Sequence, residues 1–214
     1  MTKSILLLTV IFLSDLIWLT GCSSFDKKAP TKSNLKAAIQ AALDNNPRCL
    51  TALVPKDVSS IGRQLRPDGE LEPYLVVGLI NRAEAQVDSR QDWMLLYGSK
   101  STQRVPGYHY DLTDLGRKVS HTTTEQYMSG AHVDFCYAMP EVDDVVRFTQ
   151  PANAFGMTIT HVTYSYHLAN FAEWARNPAF VKAEHLERDL ALVSQPKQES
   201  MELILTSDGW RNHP

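Results

Sequence analysis

Apolar positions between residues 35 and 43 recur with the spacing of an amphipathic α-helix. Ser33 or Asn34 is suited to cap the first turn, and the Asn-Asn-Pro sequence that follows is typical of a helix end. A second, weaker helix is predicted from Asp57 to Leu65, although Gly62 in its interior is unfavourable. The apolar face of the first helix consists of Leu35, Ala38, Ile39, Ala42 and Leu43.

The second half of the chain alternates between apolar and polar residues, as β-strands with one buried face do. The sequence AHVDFCY, residues 131–137, predicts one strand, and VDDVVRFT, residues 142–149, predicts the next. The strongest strand pattern is GMTITHVTYSYHL, residues 156–168, which is rich in β-branched and aromatic residues. The linker QPANAF before it is long enough for an antiparallel return. The predicted core faces are Val133, Phe135 and Tyr137 on the first strand, and Val162, Tyr164, Tyr166 and Leu168 on the last.

Two helices and a closing strand are predicted after this β-rich region. Asn170 is suited to cap the sequence FAEWAR, with Glu173 bonding back as in a capping box. Asn177 is suited to cap a longer helix, with Pro178 in its first position, that extends to about Val193. The sequence MELILTSDGW then predicts the closing strand.

Two sequences in the first half, LEPYLVVGLINR and YHYDLTDLGRKV, resemble parts of bacterial winged-helix repressors. In that family a helix ends at a Gly-Leu-Ile turn, a β-wing goes out and back, and a Leu-Thr-x-x-Gly-Arg stretch leads into a closing helix. The resemblance implies a winged-helix-like region over residues 35–119, with a long wing. A competing interpretation makes Glu70–Val87 one continuous helix, because short apolar runs are ambiguous between helix and strand. The matching residues are Leu75, Gly78, Leu79, Ile80, Arg82, Leu112, Thr113, Gly116 and Arg117.

Charge argues against DNA binding by this region. The helix that would enter the major groove carries Asp68, Glu70 and Glu72 but no lysine or arginine. Basic residues that neutralise phosphates supply most non-specific affinity for DNA, so the charge of this helix has the wrong sign. The whole chain has 21 Lys and Arg against 24 Asp and Glu, a net charge of −3, which gives no basic footprint. We therefore expect no nucleic-acid partner.

The first 22 residues resemble the signal sequence of a bacterial lipoprotein. Lys3 precedes the apolar run Ile5–Leu13, which is too short to span a bilayer but suits the core of a secretory signal peptide. The sequence LTGC, residues 19–22, then resembles the lipobox of that family. The alternative of one membrane helix over Ile5–Leu19 would bury Asp15 in the bilayer, which is costly.

The lipobox resemblance implies where in the cell the chain is located. Cleavage would occur before Cys22, whose sulfur would carry a diacylglycerol and whose amino group is usually acylated as well, with a fatty acid such as palmitate. Several acyl chains together give stable anchoring. Ser23, where an aspartate would favour the inner membrane, implies sorting to the outer membrane with the folded part in the periplasm. A buried core cysteine after an ordinary signal peptide is the alternative for Cys22.

Cys49 and Cys136 are the two cysteines that follow Cys22. The periplasm is oxidising and the count is even, so they are a candidate disulfide. Two separate buried thiols fit the sequence equally well, because the sequence does not give the distance between them.

Two arrangements that contain histidine or cysteine bear on metal binding. His132, Asp134 and Cys136 alternate on one strand, so two of them could ligate zinc together with a group from a neighbouring strand. The favoured interpretation is that His132 and Asp134 are solvated and that Cys136 is buried or disulfide-bonded. His161 and His167 share a strand face but lie about 20 Å apart, too far for one ion. We expect no metal and no other cofactor.

Two further groups of residues are weaker candidates for a functional site. Asp143 and Asp144 are adjacent carboxylates, and paired carboxylates act in glycoside cleavage. Adjacent strand residues point to opposite faces, however, so we expect these two to be solvated. The aromatic residues that either line a binding surface or belong to the core are Trp174, Trp210, Tyr164 and Tyr166.

Together these patterns predict an α+β protein with four parts. They are a signal peptide at 1–21, a lipidated tether at 22–34, a winged-helix-like region at 35–119 and an antiparallel β-sheet with two helices at 120–214. We find no catalytic motif. We expect an outer-membrane lipoprotein facing the periplasm that binds an envelope protein or component without catalysis. A periplasmic hydrolase or metal-binding protein that uses His132 and Cys136 is the alternative.

Overall fold

The computed structural model describes residues 26–59, 68–88, 104–127 and 130–212, and it confirms the α+β class. In these ranges no helix is both long and apolar enough to cross a membrane. The helices are α1 Lys32–Leu43, α2 Asp68–Val76, α3 Asp114–Val119, α4 Pro178–Ala183 and α5 Glu187–Ala191, with a 3-10 helix at Glu173–Arg176. The strands are β1 Arg48–Pro55, β2 Asp57–Ser59, β3 Ile80–Asp88, β4 Arg104–Leu112, β5 Ser120–Tyr127, β6 Gly130–Phe148, β7 Ala152–Ala154, β8 Met157–Ala169, β9 Lys197–Thr206 and β10 Gly209–Asn212.

The strands form two antiparallel sheets. The larger sheet has the order β1-β6-β8-β9-β10, with β5 also paired to β6 and β7 to β8. The smaller sheet has the order β2-β4-β3. Because β1 pairs with β6, a strand from the first third of the chain lies in the same sheet as β8, β9 and β10 from the last third.

Helix α1 begins three residues before the apolar pattern. Its cap is Thr31 rather than the expected Ser33 or Asn34, because the Thr31 hydroxyl accepts a hydrogen bond from the Asn34 amide at 3.2 Å. Asn34 is instead buried, and its side-chain amide donates to the carbonyl oxygens of Asp26 and Ala29. The end of the predicted tether, from Asp26 onward, therefore lies against the body.

Strand β6 is one long strand where two were expected. The segments AHVDFCY and VDDVVRFT both belong to it, although Pro140 lies between them. Its pairing with β8 shifts register between Val142 and Asp144 and again between Val145 and Arg147, as β-bulges do. The bulges bend the strand, so its first half pairs with β1 and β5 and its second half with β8.

The Gln40 side chain of α1 satisfies the backbone of β6 at this bend. Its carbonyl oxygen accepts from the Val142 amide at 2.8 Å, and its amide nitrogen donates to the Pro140 carbonyl oxygen at 3.1 Å. The same nitrogen donates to Asp44 at 2.7 Å. Helix α1 is thereby fixed on the bent strand.

A helix and a strand, rather than one helix, occupy residues 68–88. Helix α2 ends at Val76, Gly78 follows with φ +73°, and β3 begins at Ile80. The continuous helix over Glu70–Val87 is therefore wrong, because a left-handed glycine interrupts it. The weak helix predicted from Asp57 is also wrong at its start, where β2 lies; residues 60–65 lie outside the described part.

The Gly-Leu turn after α2 contacts the Leu-Thr-x-x-Gly segment directly. The Thr113 hydroxyl donates to the Gly78 carbonyl oxygen at 2.6 Å and accepts from the Gly116 amide at 2.9 Å, which caps α3. A Cβ atom on Gly116 would lie 2.0 Å from the Leu79 carbonyl oxygen, so only glycine fits there. The two matching sequences therefore meet in space.

The strongest strand pattern is confirmed as β8, with Val162, Tyr164, Tyr166 and Leu168 on its buried face. The helices after it are shorter than expected. Asn170 does not cap the next segment, which is a 3-10 helix with no side-chain cap. The Asn177 cap is confirmed, since its side-chain oxygen accepts from the Ala179 and Phe180 amides. The helix that was expected to reach Val193 divides into α4 and α5 near His185, which has φ +55°.

Aromatic side chains join the two halves of the chain in one core. Tyr74 of α2 contacts Phe135 of β6 and Phe180 of α4, with ring centroids 5.5 and 5.3 Å apart. Phe180 contacts Trp174, whose ring contacts Tyr137. These rings carry the large apolar area that stabilises such a core.

Candidate functional site

The proposed lipidation residue, Cys22, lies outside the described residues. The structure describes the chain from Asp26, four residues later, and there the chain already contacts the body. The indole nitrogen of Trp210 donates to the Lys28 carbonyl oxygen at 3.1 Å, and the Lys28 amide donates to the Asp26 side chain at 2.9 Å. The first described residues are therefore held at the edge formed by β10.

Cys49 and Cys136 form a disulfide in the structure. They are directly opposite each other on β1 and β6, with Cα atoms 3.8 Å apart and sulfur atoms 1.97 Å apart. The bond joins residues 87 positions apart and ties β1 to β6, the strand that also pairs with β5 and β8. A bonded Cys136 has no thiolate to offer a metal ion or a substrate.

The other residues of the predicted metal face have structural partners. The Asp134 carboxylate accepts a hydrogen bond from the Thr51 hydroxyl across the β1–β6 pair. His132 also has a contact within the protein. Among the described residues, no three His, Cys, Asp or Glu side chains converge on a point where a metal ion could bind. The Cys136 thiol that the hydrolase or metal-binding alternative would use is bonded to Cys49.

The two histidines of β8 each have an acidic partner. His161 Nε2 lies 3.4 Å from a Glu202 carboxylate oxygen, and His167 Nδ1 lies 2.8 Å from an Asp143 carboxylate oxygen. Asp144 instead pairs with Lys32 of α1 at 3.5 Å. Because Asp143 and Asp144 have different partners, they do not face one substrate bond.

The four aromatic residues that the sequence assigns either to a binding surface or to the core belong to the core. Trp174, Trp210, Tyr164 and Tyr166 are 9%, 6%, 2% and 2% exposed. They therefore do not form an aromatic binding surface. The Trp174 indole nitrogen is nevertheless notable, since within the described residues it is buried and has no hydrogen-bond partner. An unpaired buried N–H destabilises a fold by about 1–3 kcal/mol.

Three buried tyrosines each donate a hydrogen bond to a carboxylate on a neighbouring element, an arrangement that the sequence does not indicate. Tyr137 donates to Asp189 of α5, and Tyr166 donates to Glu199 of β9 at 3.1 Å. Tyr74 donates to Glu184, next to α4, at 3.1 Å. The alternation of apolar and polar residues in β6 and β8 predicts that Tyr137 and Tyr166 face inward. Their carboxylate partners are distant in sequence, so no sequence pattern predicts these hydrogen bonds.

Protonated tyrosines are required for this arrangement. Burial raises the pKa of Tyr137, and the hydrogen bond to Asp189 and that carboxylate's charge raise it further. Burial also raises the pKa of Tyr74, with Glu184 acting in the same direction. Neutral hydroxyls that donate to carboxylates join α5 to β6, β9 to β8 and the end of α4 to α2. They hold the fold together and do not form a nucleophile with its base.

Among the open grooves on the described surface, two lie beside α1 and α2. One lies between α1 and the bend of β6, where the Gln40 and Lys36 side chains already bind backbone carbonyl oxygens. The other lies between the end of α2 and the 3-10 helix, beside Val76, which is 57% exposed. The exposed Val76 borders this second groove, whereas in the first groove the Gln40 and Lys36 side chains already bond to the backbone.

The chain matches no protein-family model, and no match was found among the curated proteins or the solved structures.

Proposed function

We propose that this protein is a lipoprotein of the outer membrane, anchored through acyl chains on Cys22 and facing the periplasm. We further propose that it binds an envelope protein and catalyses no reaction. The observation that carries the proposal is the LTGC sequence directly after an apolar run of signal-peptide length. Lys28, six residues after Cys22, already accepts a hydrogen bond from Trp210 of the body, so the anchor would hold the body close to the bilayer.

The disulfide supports a location outside the cytosol. Bonds of this kind persist in oxidising compartments such as the bacterial periplasm and are rare where thiols are kept reduced. Cys49 and Cys136 are bonded across adjacent strands, which agrees with an exported chain.

The surface of α2 supports the absence of a nucleic-acid partner. Glu70 and Glu72 are exposed, and Glu72 lies 3.8 Å from Arg82, the basic residue at the start of β3. An acidic helix repels a phosphate backbone. We keep the winged-helix relationship as a proposal about ancestry or local fold only.

Local geometry supports that relationship. The order of α2, the Gly78 turn, the β3–β4 hairpin and α3 agrees with the order expected from the resemblance. Thr113 and Gly116 contact the turn, as two parts of one motif would. The region differs in its closing helix, which has six residues and continues directly into β5.

The anchor can be tested by expressing the full chain in a Gram-negative host with clickable palmitate. We expect the label on the wild-type chain and an intact mass that corresponds to a mature, acylated chain beginning at Cys22. The matched control is Cys22→Ser, which should carry no label and no acyl mass. An unlabelled wild-type chain, or a labelled Cys22→Ser chain, would contradict the proposal.

The outer-membrane address needs a separate test. Density-gradient separation of the two membranes should place the wild-type chain with the outer membrane. Ser23→Asp introduces the residue that, by resemblance, favours retention in the inner membrane, and it leaves Cys22 in place. We expect this single change to move the chain to the inner-membrane fractions. An identical distribution of both chains would contradict the sorting half of the proposal.

Val76, at the edge of the groove beside α2, gives a position at which the binding half of the proposal can be tested. A photo-crosslinking amino acid at Val76 should produce a discrete adduct with an envelope protein in intact cells. The matched control is the same group at Lys182, which is exposed on α4. No adduct, or the same adducts from both positions, would contradict specific binding at this groove.

A further inference from the structure

The turn between β7 and β8 presents a fully exposed aromatic side chain. Ala154 pairs with Met157, so Phe155 and Gly156 alone form the turn. Phe155 is 99% exposed and has φ +52°, and Gly156 has φ +80°. Two-residue turns with positive φ at both positions strongly favour Asn-Gly or Gly-Gly, so a phenylalanine is unfavourable in conformation as well as in solvation. A strained residue with no contact inside the fold points to a contact outside it.

The whole tip of this hairpin lacks charge. No acidic, basic or histidine residue occurs from Phe148 to Thr160. Ala152 and Phe155 are exposed, and Ala154 and Met157 are half-buried. An uncharged tip can pass below the headgroups without removing a charge from water, which would be costly.

This tip lies at the end of the sheet where the N-terminal segment leaves the body. In the antiparallel pairing of β8 with β9, Ile159 is opposite Ile204, so the β7–β8 turn is beside the end of β9. The β9–β10 turn follows there, and a Cβ atom on Gly209 would lie 3.0 Å from the Lys27 carbonyl oxygen. The two turns and Lys27 therefore share one end of the sheet.

The sequence limits how far the anchor can be from this end. Cys22 precedes Lys27 by five residues, and a fully extended chain spans at most about 3.5 Å per residue, or about 18 Å in all. Acyl chains on Cys22 would thus hold this end of the sheet, and not the opposite end, at the bilayer. Exposed Lys27 and Lys28 would lie at the level of the headgroups, where anionic phospholipids attract them.

We propose that this end of the sheet rests on the phospholipid bilayer and that Phe155 inserts into the boundary between headgroups and acyl chains. The proposal rests on the acylation of Cys22 proposed above. It deepens that function, because a second contact fixes the orientation of the body on the membrane. The groove beside Val76 would then have a defined direction relative to the membrane.

Site-specific fluorescence on the full, acylated chain tests this orientation. Cys22 is acylated and Cys49 is bonded to Cys136, so Phe155→Cys introduces a single free thiol for a bimane label. The matched control is Gln195→Cys, an exposed position beyond the far end of β9. Tyr166 is opposite Lys197 and nine residues from Met157, so the control lies about 30 Å from the tip. Both chains are reconstituted into protein-free phospholipid vesicles with or without brominated acyl chains.

We expect brominated lipid to remove about half of the emission from the label at position 155, as for a group about 5–10 Å into the boundary, and to leave position 195 unchanged. A chain that carries acyl groups by mass and floats with the vesicles, but whose label at 155 is not quenched, would overturn the inference and leave the anchor intact. Equal quenching at both positions would also overturn it. A chain without acyl groups would remove the proposed function, and the inference with it. Contact of the tip with a protein partner would be indicated if quenching is absent in vesicles but crosslinking from position 155 occurs in cells.

Discussion

The indole nitrogen of Trp210 donates a hydrogen bond to the carbonyl oxygen of Lys28 at 3.1 Å, across 182 positions of sequence. This bond connects the last strand of the sheet to the segment that follows the proposed anchor. It means that the body is not suspended on a free tether from residue 34, as the composition of residues 22–34 suggests. The chain is fixed to the sheet within six residues of Cys22, which makes a fixed orientation at the membrane physically reasonable.

Two tryptophan substitutions distinguish this hydrogen bond from the packing of the ring. In urea denaturation we expect Trp210→Phe to lower the free energy of unfolding by about 2–4 kcal/mol more than Trp174→Phe, because it breaks a hydrogen bond worth about 1 kcal/mol while Trp174→Phe removes an unpaired buried N–H that costs about 1–3 kcal/mol. Both changes remove a similar buried area, but Trp210 loses a hydrogen bond whereas the Trp174 indole nitrogen has no partner to lose. Equal losses would contradict the assignment of the Trp210 bond as stabilising.

Removal of the disulfide should destabilise the chain strongly. The bond joins residues 87 positions apart, and closure of a long loop restricts the unfolded chain. We expect the double variant Cys49→Ser, Cys136→Ser to lose about 2–5 kcal/mol in the free energy of unfolding. A reducing agent should lower the stability of the wild-type chain to a similar extent. The same agent should have no effect on the double variant, which serves as its control.

The strands that sequence periodicity located were those in which one face is uniformly buried. Val162, Tyr164 and Tyr166 are inward-facing on β8 as alternation requires, because the pleat places every second side chain on one face. The continuity of β6 through Pro140 could not be predicted in the same way. Proline is normally excluded from central strands, and here a side chain from α1, distant in sequence, binds the bent backbone.

Two features could not be predicted because they depend on backbone conformations that the residue types do not indicate. They are the end of the helix after Asn177 and the exposed turn at Phe155. His185 and Phe155 both have positive φ, which is unfavourable for a histidine and more so for a phenylalanine. The long helix expected after Asn177 therefore divides at His185. Phe155 looked like part of a linker, because nothing in QPANAF predicts that its last residue occupies a two-residue turn. The LTGC signature, in contrast, is read from sequence alone, since it lies outside the described residues.

Gln40 should be more important for stability than its half-buried position on α1 suggests. We expect Gln40→Leu to lower the free energy of unfolding by about 1–3 kcal/mol, because the Val142 amide and the Pro140 carbonyl lose their partner. Gln40→Glu keeps the acceptor for Val142, but it places a carboxylate oxygen beside the Asp44 carboxylate and the Pro140 carbonyl oxygen, so at neutral pH its loss should be at least as large. Hydrogen exchange at the Val142 amide should accelerate in Gln40→Leu. Unchanged exchange there would indicate that the bend of β6 is held by other contacts.

Phe155→Asn should stabilise the chain in detergent-free or vesicle-free solution while weakening its contact with lipid. A non-glycine residue in the left-handed region is unfavourable by about 1–2 kcal/mol, and asparagine tolerates that region better than phenylalanine. We expect a gain of about 1 kcal/mol in the free energy of unfolding, measured by urea denaturation. The control Phe155→Ala also removes the exposed ring but keeps a strained side chain. A gain as large for alanine as for asparagine would show that solvation of the ring, and not backbone strain, is the cause.

Stability should fall at alkaline pH because Tyr164 must stay protonated in the folded state. Burial raises the pKa of Tyr164 to about 12, and the nearby Glu199 carboxylate adds to the effect. A tyrosine in the unfolded chain has a pKa of about 10, so between these values the folded state keeps a proton that the unfolded state has lost. The free energy of unfolding contributed by Tyr164 is therefore fully present below about pH 10 and decreases as the pH rises, by at most about 1.4 kcal/mol per pH unit. We expect Tyr164→Phe to lose less stability than the wild-type chain between about pH 8 and about pH 11 in urea denaturation. The control Phe135→Leu changes a buried residue without a titrating group, so it should lose as much stability as the wild-type chain over that range. If Tyr164→Phe showed the same pH dependence as the wild-type chain, Tyr164 would not be the cause of the alkaline loss of stability.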